Sequence, residues 1–504
     1  MASTGRESLA VKRATEVAFD SAPTEPAPLP CPHPLPSYWT QTSSEPGPAQ
    51  GVFTPQDGVD MEPEVDVAII GAGITGISAA YHLANRLTPR YDGQPIKVVV
   101  LEARDFCSGA TGRNGGHLTP LSVLSYDELA SNPAHLSRFL SSTSREEHWG
   151  NDRGTKTDEV IRKILTLEAR TSAEILMIIQ EGDSLDVELV SGSNWHLCQS
   201  SEEEAAFDAS IERAKRAGLS DLAMQVKKVP SEEWHKRLHD PSKITAVYEI
   251  PGSTVHSRRL VLLLHQLAYA NAQRSKTDLK VFTQTPVLAV KSLSGGASSL
   301  ETPRGNVRAR YVIHATNAYA SHLLPQYAGP KGIVPTRAQC VSVLPSKSPS
   351  EGEPLWQMGF SLNHGFEYLQ QRPNRSTDGA VQTCILGGGR WAAIDREWGV
   401  ADDTKTNPDV SAVLRPMLSD LFPNNFSKGD PVELEWTGII GHSKSGDPFV
   451  GPVVASAPAS HGARQYIVAG YSGHGMTRAY SCAEVVVDMI VADRAGEEWV
   501  PPVW

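Results

Sequence analysis

Cysteine is scarce and never paired. Cys31, Cys107, Cys198, Cys340, Cys384 and Cys482 are scattered through 504 residues with no C-x-x-C, so neither a disulfide scaffold nor a zinc knuckle is indicated and a reducing compartment is expected. His256 and His265 do not have ligand spacing, and no metal is expected. A dense basic block is missing too. Lys and Arg number 46 against 57 Asp and Glu, a net charge of −11, which repels nucleic acid and anionic bilayers. Long apolar runs are absent: Leu260 to Ala270 is broken by His265 and Gln266, well short of the ~18 residues of a span. The start, MASTGRESLAVKRATEV, has no apolar signal core, and the final Pro501-Pro502-Val503-Trp504 matches no peroxisomal or ER-retention signal. A cytoplasmic location without membrane contact is the expectation. No internal repeat is present.

What is there is globular. Hydrophobic residues make up 40% and charged residues 20%, and the length suits two or three domains. Nine prolines between Pro23 and Pro48 remove too many backbone donors for a helix or an inner strand, so residues 1–61 read as a largely disordered arm with Tyr38-Trp39 as its candidate anchor. Order begins at the apolar run Val65 to Ile70. Gly71-Ala72-Gly73-Ile74-Thr75-Gly76 follows, then small and apolar residues at helical spacing from Ile77 to Ala84, a turn over Thr88 to Pro95, and a second strand, Ile96 to Leu101, closed by Glu102. Further on, helices are expected over Thr157–Gln180, Glu202–Ala217, Arg259–Gln273 and Ala479–Ala492. Strands are expected at Val187–Val190, Ser193–Leu197, Lys280–Thr283, Val287–Val290, Tyr311–His314, Ala338–Leu344, Gly365–Gln370, Thr383–Gly387 and Tyr466–Ala469, with Ser292 to Ser299 as a loop. Asn151 to Glu204 reads as an exposed region.

A G-x-G-x-x-G alone is weak, but between a strand and a helix, with an acid closing the next strand, it is a dinucleotide fingerprint. Gly71 permits the sharp turn, Gly73 leaves room for pyrophosphate, and Gly76 lets helix and strand approach. The helix N-terminus offers N–H groups and partial positive charge to the diphosphate. Glu102 suits ribose hydroxyls and would repel a 2′-phosphate. A second glycine-rich stretch, Ser108 to His117, and a third, Gly470 to Met476, suit loops laid along a long flat ligand. Gly387-Gly388-Gly389-Arg390 lacks the spacing of a second nucleotide site, so a nicotinamide domain is not expected.

In order along the chain, GAGITG, LEARDFCSGATGRNGGH, VIHAT, WTGIIGHSKSGDPFVG and VAGYSGHGM resemble the D-amino-acid-oxidase-like FAD-dependent oxidoreductases, among them glycine, sarcosine and γ-glutamylputrescine oxidases. The resemblance implies an α/β chain in which a Rossmann-like FAD-binding domain (62–125, 250–330 and 431–504) is interleaved with an antiparallel-sheet substrate domain (126–249 and 331–430, with a helical insertion). It implies FAD held by Gly71, Gly73, Ile74, Thr75 and Gly76, with adenosine near Glu102, Ala103, Arg104 and Val287. The flavin lies between two loops, one from Ser108 and Gly109 through Thr111, Gly112, Arg113, Asn114, Gly115 and Gly116 to His117, the other Gly473, His474, Gly475 and Met476. Ala315 and Thr316 also contact the cofactor. Trp436 to Ile440 carries no cysteine where some relatives attach flavin, so non-covalent FAD is expected. Asn317 stands where many relatives have glycine.

With no nicotinamide domain, electrons come from an organic substrate and leave to oxygen or another acceptor. The expected reaction is oxidation of a C–N bond in an amine or amino acid to an imine; a flavin monooxygenase and a non-catalytic FAD-binding scaffold are the rival readings. His474 leads the catalytic candidates, as a proton carrier or as a flavin contact only, and His117 shares that ambiguity. Arg337 and Arg390 are candidate carboxylate forks, or fold-stabilising ion pairs. Trp391, Phe366 and Tyr368 are candidate pocket walls, or core. Lys444 is a candidate cation near the flavin, or a surface-turn lysine. A serine hydrolase is excluded, because Gly470-Tyr471-Ser472-Gly473-His474 ends in histidine where a nucleophile elbow needs glycine.

Overall fold

In the computed structural model the chain is described over residues 19–42, 50–87, 94–132, 153–182, 185–346, 355–373, 382–453 and 464–501. Most of the Thr88–Pro95 turn, Pro46, Pro48, Asn151 and the final Pro502-Val503-Trp504 lie outside the described residues.

Strand Glu64–Ile70 pairs in parallel with Ile96–Leu101 on one side and Gly305–His314 on the other; Thr277–Phe282, Val52–Phe53 and Gln465–Ala469 extend the same parallel set. Such strands are buried on both faces, which is why they read as unbroken apolar runs. Val67, Ile69, Val98 and Val100 face a core packed with helices Ile74–Arg86, Ser257–Ser275 and Ala479–Ala495, while Ala68, Ile70, Val99 and Leu101 face the opposite core. The stretch Ser292 to Ser299 is not simply a loop. It is the tight end of an antiparallel hairpin between Ala289–Ser292 and Ser298–Thr302.

The second sheet runs in the order Val432–His442, Val334–Val343, Cys384–Gly388, Glu367–Gln371, Gly359–Leu362, Val190–Cys198, Ala246–Thr254 and His117–Leu118. All its pairings are antiparallel except Gly359–Leu362 with Val190–Cys198. Pairing corrects the sequence boundaries. Val432–His442 and His117–Leu118, placed with the cofactor domain, belong to the second sheet, and Val52–Phe53, placed in the arm, belongs to the first. Alternation along a strand shows that it pairs, not with whom.

The arm is not loose where it is described. Trp39 is fully buried with Cys340, Ile385 and Trp436, and Tyr38–Gln41 forms a short helix capped by Ser37. Prolines exclude regular structure but not docking. Between Asn151 and Glu204 the described residues are not uniformly exposed either: helix Arg153–Glu181 buries Ile161, Leu165, Glu168, Thr171 and Ile175. Its polar positions read as solvent-facing because their partners are remote in sequence.

Candidate active site

The first parallel strand ends at Gly71, whose φ of +107° would be strained in any other residue and whose Cβ would meet the Ala315 carbonyl oxygen at 2.7 Å. At Gly76 a Cβ would lie 1.8 Å from the Gly71 oxygen. Helix Ile74–Arg86 therefore starts hard against the strand end. Its N-cap, Gly73, supplies no side-chain acceptor, so the first-turn N–H groups depend on other partners; Ile74 N–H donates to Thr111 Oγ1 at 3.2 Å. Glu102 Oε2 accepts from Ala72 N–H at 2.8 Å, and Oε1 from Arg104 N–H at 3.0 Å.

From this turn a continuous cavity of about 880 Å³ runs to the second sheet, near the top of the ~300–1,000 Å³ range of ligand pockets. Gly71, Gly73, Ile74, Thr75, Glu102, Ala103, Arg104, Val287, Ala315 and Thr316 line its first part. Gly109, Thr111, Arg113, Asn114, Gly115, His117, Gly473, His474, Gly475 and Met476 also line it, as do Phe366, Tyr368 and Arg390. The structure thus brings together residues from separated stretches of chain.

Other candidates stand elsewhere. Gly76 lies behind the turn, in its packing role. Ser108 is off the cavity wall, its carbonyl accepting from Arg104 and Arg113. Gly112 and Gly116 turn toward the arm: the Gly112 carbonyl accepts from Ser37 Oγ at 2.6 Å, and a Cβ on Gly116 would meet Trp39 at 2.7 Å. Arg337 is buried against Glu397 and is spent on that pair. Trp391 is half exposed and donates to Glu367 Oε1 at 2.9 Å, and Lys444 pairs at the surface with Asp20. Each is a fold contact, because a nearer partner takes the donor. Asn317 fills its glycine-like position by adopting φ +44°, with Oδ1 accepting from Gly470 N–H at 3.1 Å.

Two buried carboxylates stand behind residues of the cavity wall, and neither was singled out in the sequence. Asp403 pairs with Arg104 at 2.9 Å and Arg113 at 3.5 Å. Burial depresses the Arg113 guanidinium to about 10, against the pull of Asp403. Glu168, on the inserted helix, accepts from Arg478 Nε at 2.6 Å, Thr477 Oγ1 at 2.8 Å and Leu121 N–H at 2.9 Å, and faces His474 Nδ1 at 3.5 Å. Burial opposes its ionisation, but Arg478 and His474 hold it down at about 2. Burial lowers His117 to about 4 and pushes His442 well below its ordinary value, with Arg390 and His474 adding to the effect at His442. Both imidazoles are neutral near pH 7. A sequence signal for this cluster is Arg478, a cation immediately ahead of helix Ala479–Ala495.

Thr119 Oγ1, Asn194 Oδ1 and Thr316 Oγ1 line the cavity without a hydrogen-bond partner. Buried polar atoms are seldom left so, and a ligand rich in donors and acceptors would satisfy them. With the strand–glycine–helix turn at one end, these residues fit FAD. A model of FAD dependent oxidoreductases matches residues 66–489.

The chain belongs to that family.

Among its relatives, the probable oxidoreductase OrdL of Rhizobium meliloti is 24% identical over 436 residues, covering 84% of this chain and 83% of that one. The gamma-glutamylputrescine oxidoreductase of Escherichia coli is 24% identical over 456 residues, covering 90% and 89%. The crystal structure of glycine oxidase from Geobacillus kaustophilus superposes with a TM-score of 0.59 at 18% identity, covering 87% of this chain and 96% of that one. This FAD-dependent oxidoreductase therefore shares the fold of that glycine oxidase structure. Among the described residues no helix is long and apolar enough to cross a membrane, and no cluster of side chains could hold a metal ion.

Proposed function

We propose that this FAD-dependent oxidoreductase oxidises a C–N bond of an amine or amino acid to an imine, with oxygen as electron acceptor and FAD held without a covalent bond. The carrying observation is the single cavity that joins the nucleotide turn of the first sheet to the polar wall of the second. Bound flavin supplies hydride acceptance. In this reading the first sheet and its helices form the cofactor body, and the second sheet forms the substrate body.

The cofactor candidates that line the cavity hold FAD through the Gly71–Gly76 turn, Glu102 and the loops around Arg113 and His474. No cysteine is among the described residues lining the cavity, which supports non-covalent binding. Arg390 is the substrate anchor. Among the described residues it makes no ion pair; its guanidinium lies 4.3 Å over the Trp398 ring and donates to the Arg396 carbonyl at 2.9 Å. Burial lowers it to about 10, so a substrate carboxylate would relieve an uncompensated charge. An amine must be neutral before its α-C–H can leave as hydride, and in this reading His474, which lines the cavity, takes that proton.

The test is anaerobic mixing of purified holoprotein with a panel of amines and amino acids, followed by air. Bleaching of the visible flavin band and its return in air are expected. No bleaching with any panel member overturns the substrate class, and bleaching only by NADPH would indicate a monooxygenase.

A further inference from the structure

We propose that Glu168, on helix Arg153–Glu181, is a positioning residue for His474: it fixes the ring with Nδ1–H inward and presents Nε2 to the cavity. The inference rests on the reading that His474 meets substrate or flavin. Glu168 is fully buried, yet it stands 310 positions from the Arg478 it pairs with.

Its two oxygens do more. Oε1 takes the Arg478 Nε–H; Oε2 takes Thr477 Oγ1–H and Leu121 N–H, which fix it in place, and the same Oε2 faces His474 Nδ1 at 3.5 Å. A second tie runs through the same helix, where Thr171 Oγ1 meets Ser481 Oγ at 2.6 Å. The inserted helix is thereby locked to the loop and helix that carry the imidazole. The group facing one ring nitrogen sets which nitrogen carries the proton and so what the other can do. With Glu168 anionic, its partner nitrogen carries the proton, and Nε2 is left as the acceptor on the exposed side of a ring that is 38% accessible.

The remaining charged and titratable groups around His474 are Arg478, Asp447, whose Oδ1 is 3.4 Å from Arg478 Nη1, and His442, which is held neutral by its burial. Arg478 is balanced between Asp447 and Glu168. Glu168 is thus the anion in contact with the imidazole.

The experiment measures the reaction of His474 with diethylpyrocarbonate in full-length holoprotein, followed peptide by peptide by mass spectrometry from pH 5 to 8, in the native chain and in Glu168→Gln. Loss of the anion should move this reactivity profile toward lower pH, and the acid limb of kcat/KM should move the same way. An unchanged His474 profile in folded Glu168→Gln overturns the proposal, even if its melting temperature falls. Should that variant not fold, Glu168→Asp, which withdraws the charge by one methylene, must give a smaller shift of the same sign, and no shift is equally fatal. If the profile shifts while no amine bleaches the flavin, positioning stands and the proposed substrate class falls.

Discussion

Asp403 and Glu168 are the same kind of object put to different uses. Each is a fully buried carboxylate next to arginine, each joins segments distant in sequence, and each holds an arginine that lines the cavity. Around Asp403 the neighbours are Arg104, Arg113 and the backbone of the N-terminal arm: Leu35 N–H donates to the Asp403 carbonyl at 2.9 Å, Arg113 donates to the Leu35 carbonyl, and Arg104 Nη1 to the Cys31 carbonyl at 3.3 Å. Around Glu168 one neighbour is an imidazole. Arginine stays protonated throughout the working range, so the Asp403 seam fixes shape only, whereas a titrating partner can turn the Glu168 seam into chemistry.

The harshest way to break this contrast is Asp403→Ala, which strands two buried guanidinium groups. A loss of about 3–5 kcal/mol is expected, with poor flavin retention, read by chemical denaturation and by flavin fluorescence after gel filtration. Trp39→Ala removes the arm's anchor, with its Nε1–H bond to the Asn114 carbonyl at 2.6 Å, and should cost about 3 kcal/mol. Its flavin should also dissociate more readily, because the same ring packs under the Ser108 to His117 loop. Acid separates the two seams next. A Glu168 pKa depressed from 4.5 to about 2 gives stability that is complete above the ordinary value and is lost as pH falls toward 2, on the order of 3 kcal/mol. Glu168→Gln should flatten the stability curve over that window, measured by denaturant midpoints from pH 5 to 3. Ser37→Ala, removing both the hydrogen bond to the Gly112 carbonyl and the cap of helix Tyr38–Gln41, should cost about 1–2 kcal/mol. Lys444→Ala is the control: its exposed pair with Asp20 contributes at most a few tenths of a kcal/mol, with no change in flavin spectrum or turnover.

The nucleotide end of the cavity was legible because its requirements are local. Gly71 and Gly76 are demanded by one turn's backbone, and the apolar runs Val65 to Ile70 and Ile96 to Leu101 by strands buried on both faces. Helix ends from Ser257 to Ser275 and from Ala479 to Ala495 fall within a few residues of what periodicity indicates. The end at the second sheet was not legible. Arg337 and Arg390 look alike in sequence, and only the fold gives Glu397 to the first and an open wall to the second. Val432–His442 looks like a strand of either sheet until its pairing with Val334–Val343 is seen. The arm's prolines announced irregular structure correctly, yet nothing in them told that Trp39 would be wholly enclosed.

The sequence by itself determined the dinucleotide turn, the main helices and strands and the family, because backbone conformation, glycine spacing and side-chain periodicity are properties of neighbouring residues. Tertiary structure decided which charges are spent and which are available, and which carboxylate faces the imidazole. Those outcomes depend on pairings across some three hundred positions, such as Arg104 with Asp403 at a separation of 299 and Glu168 with Arg478 at 310, and no local pattern encodes a partner that far away.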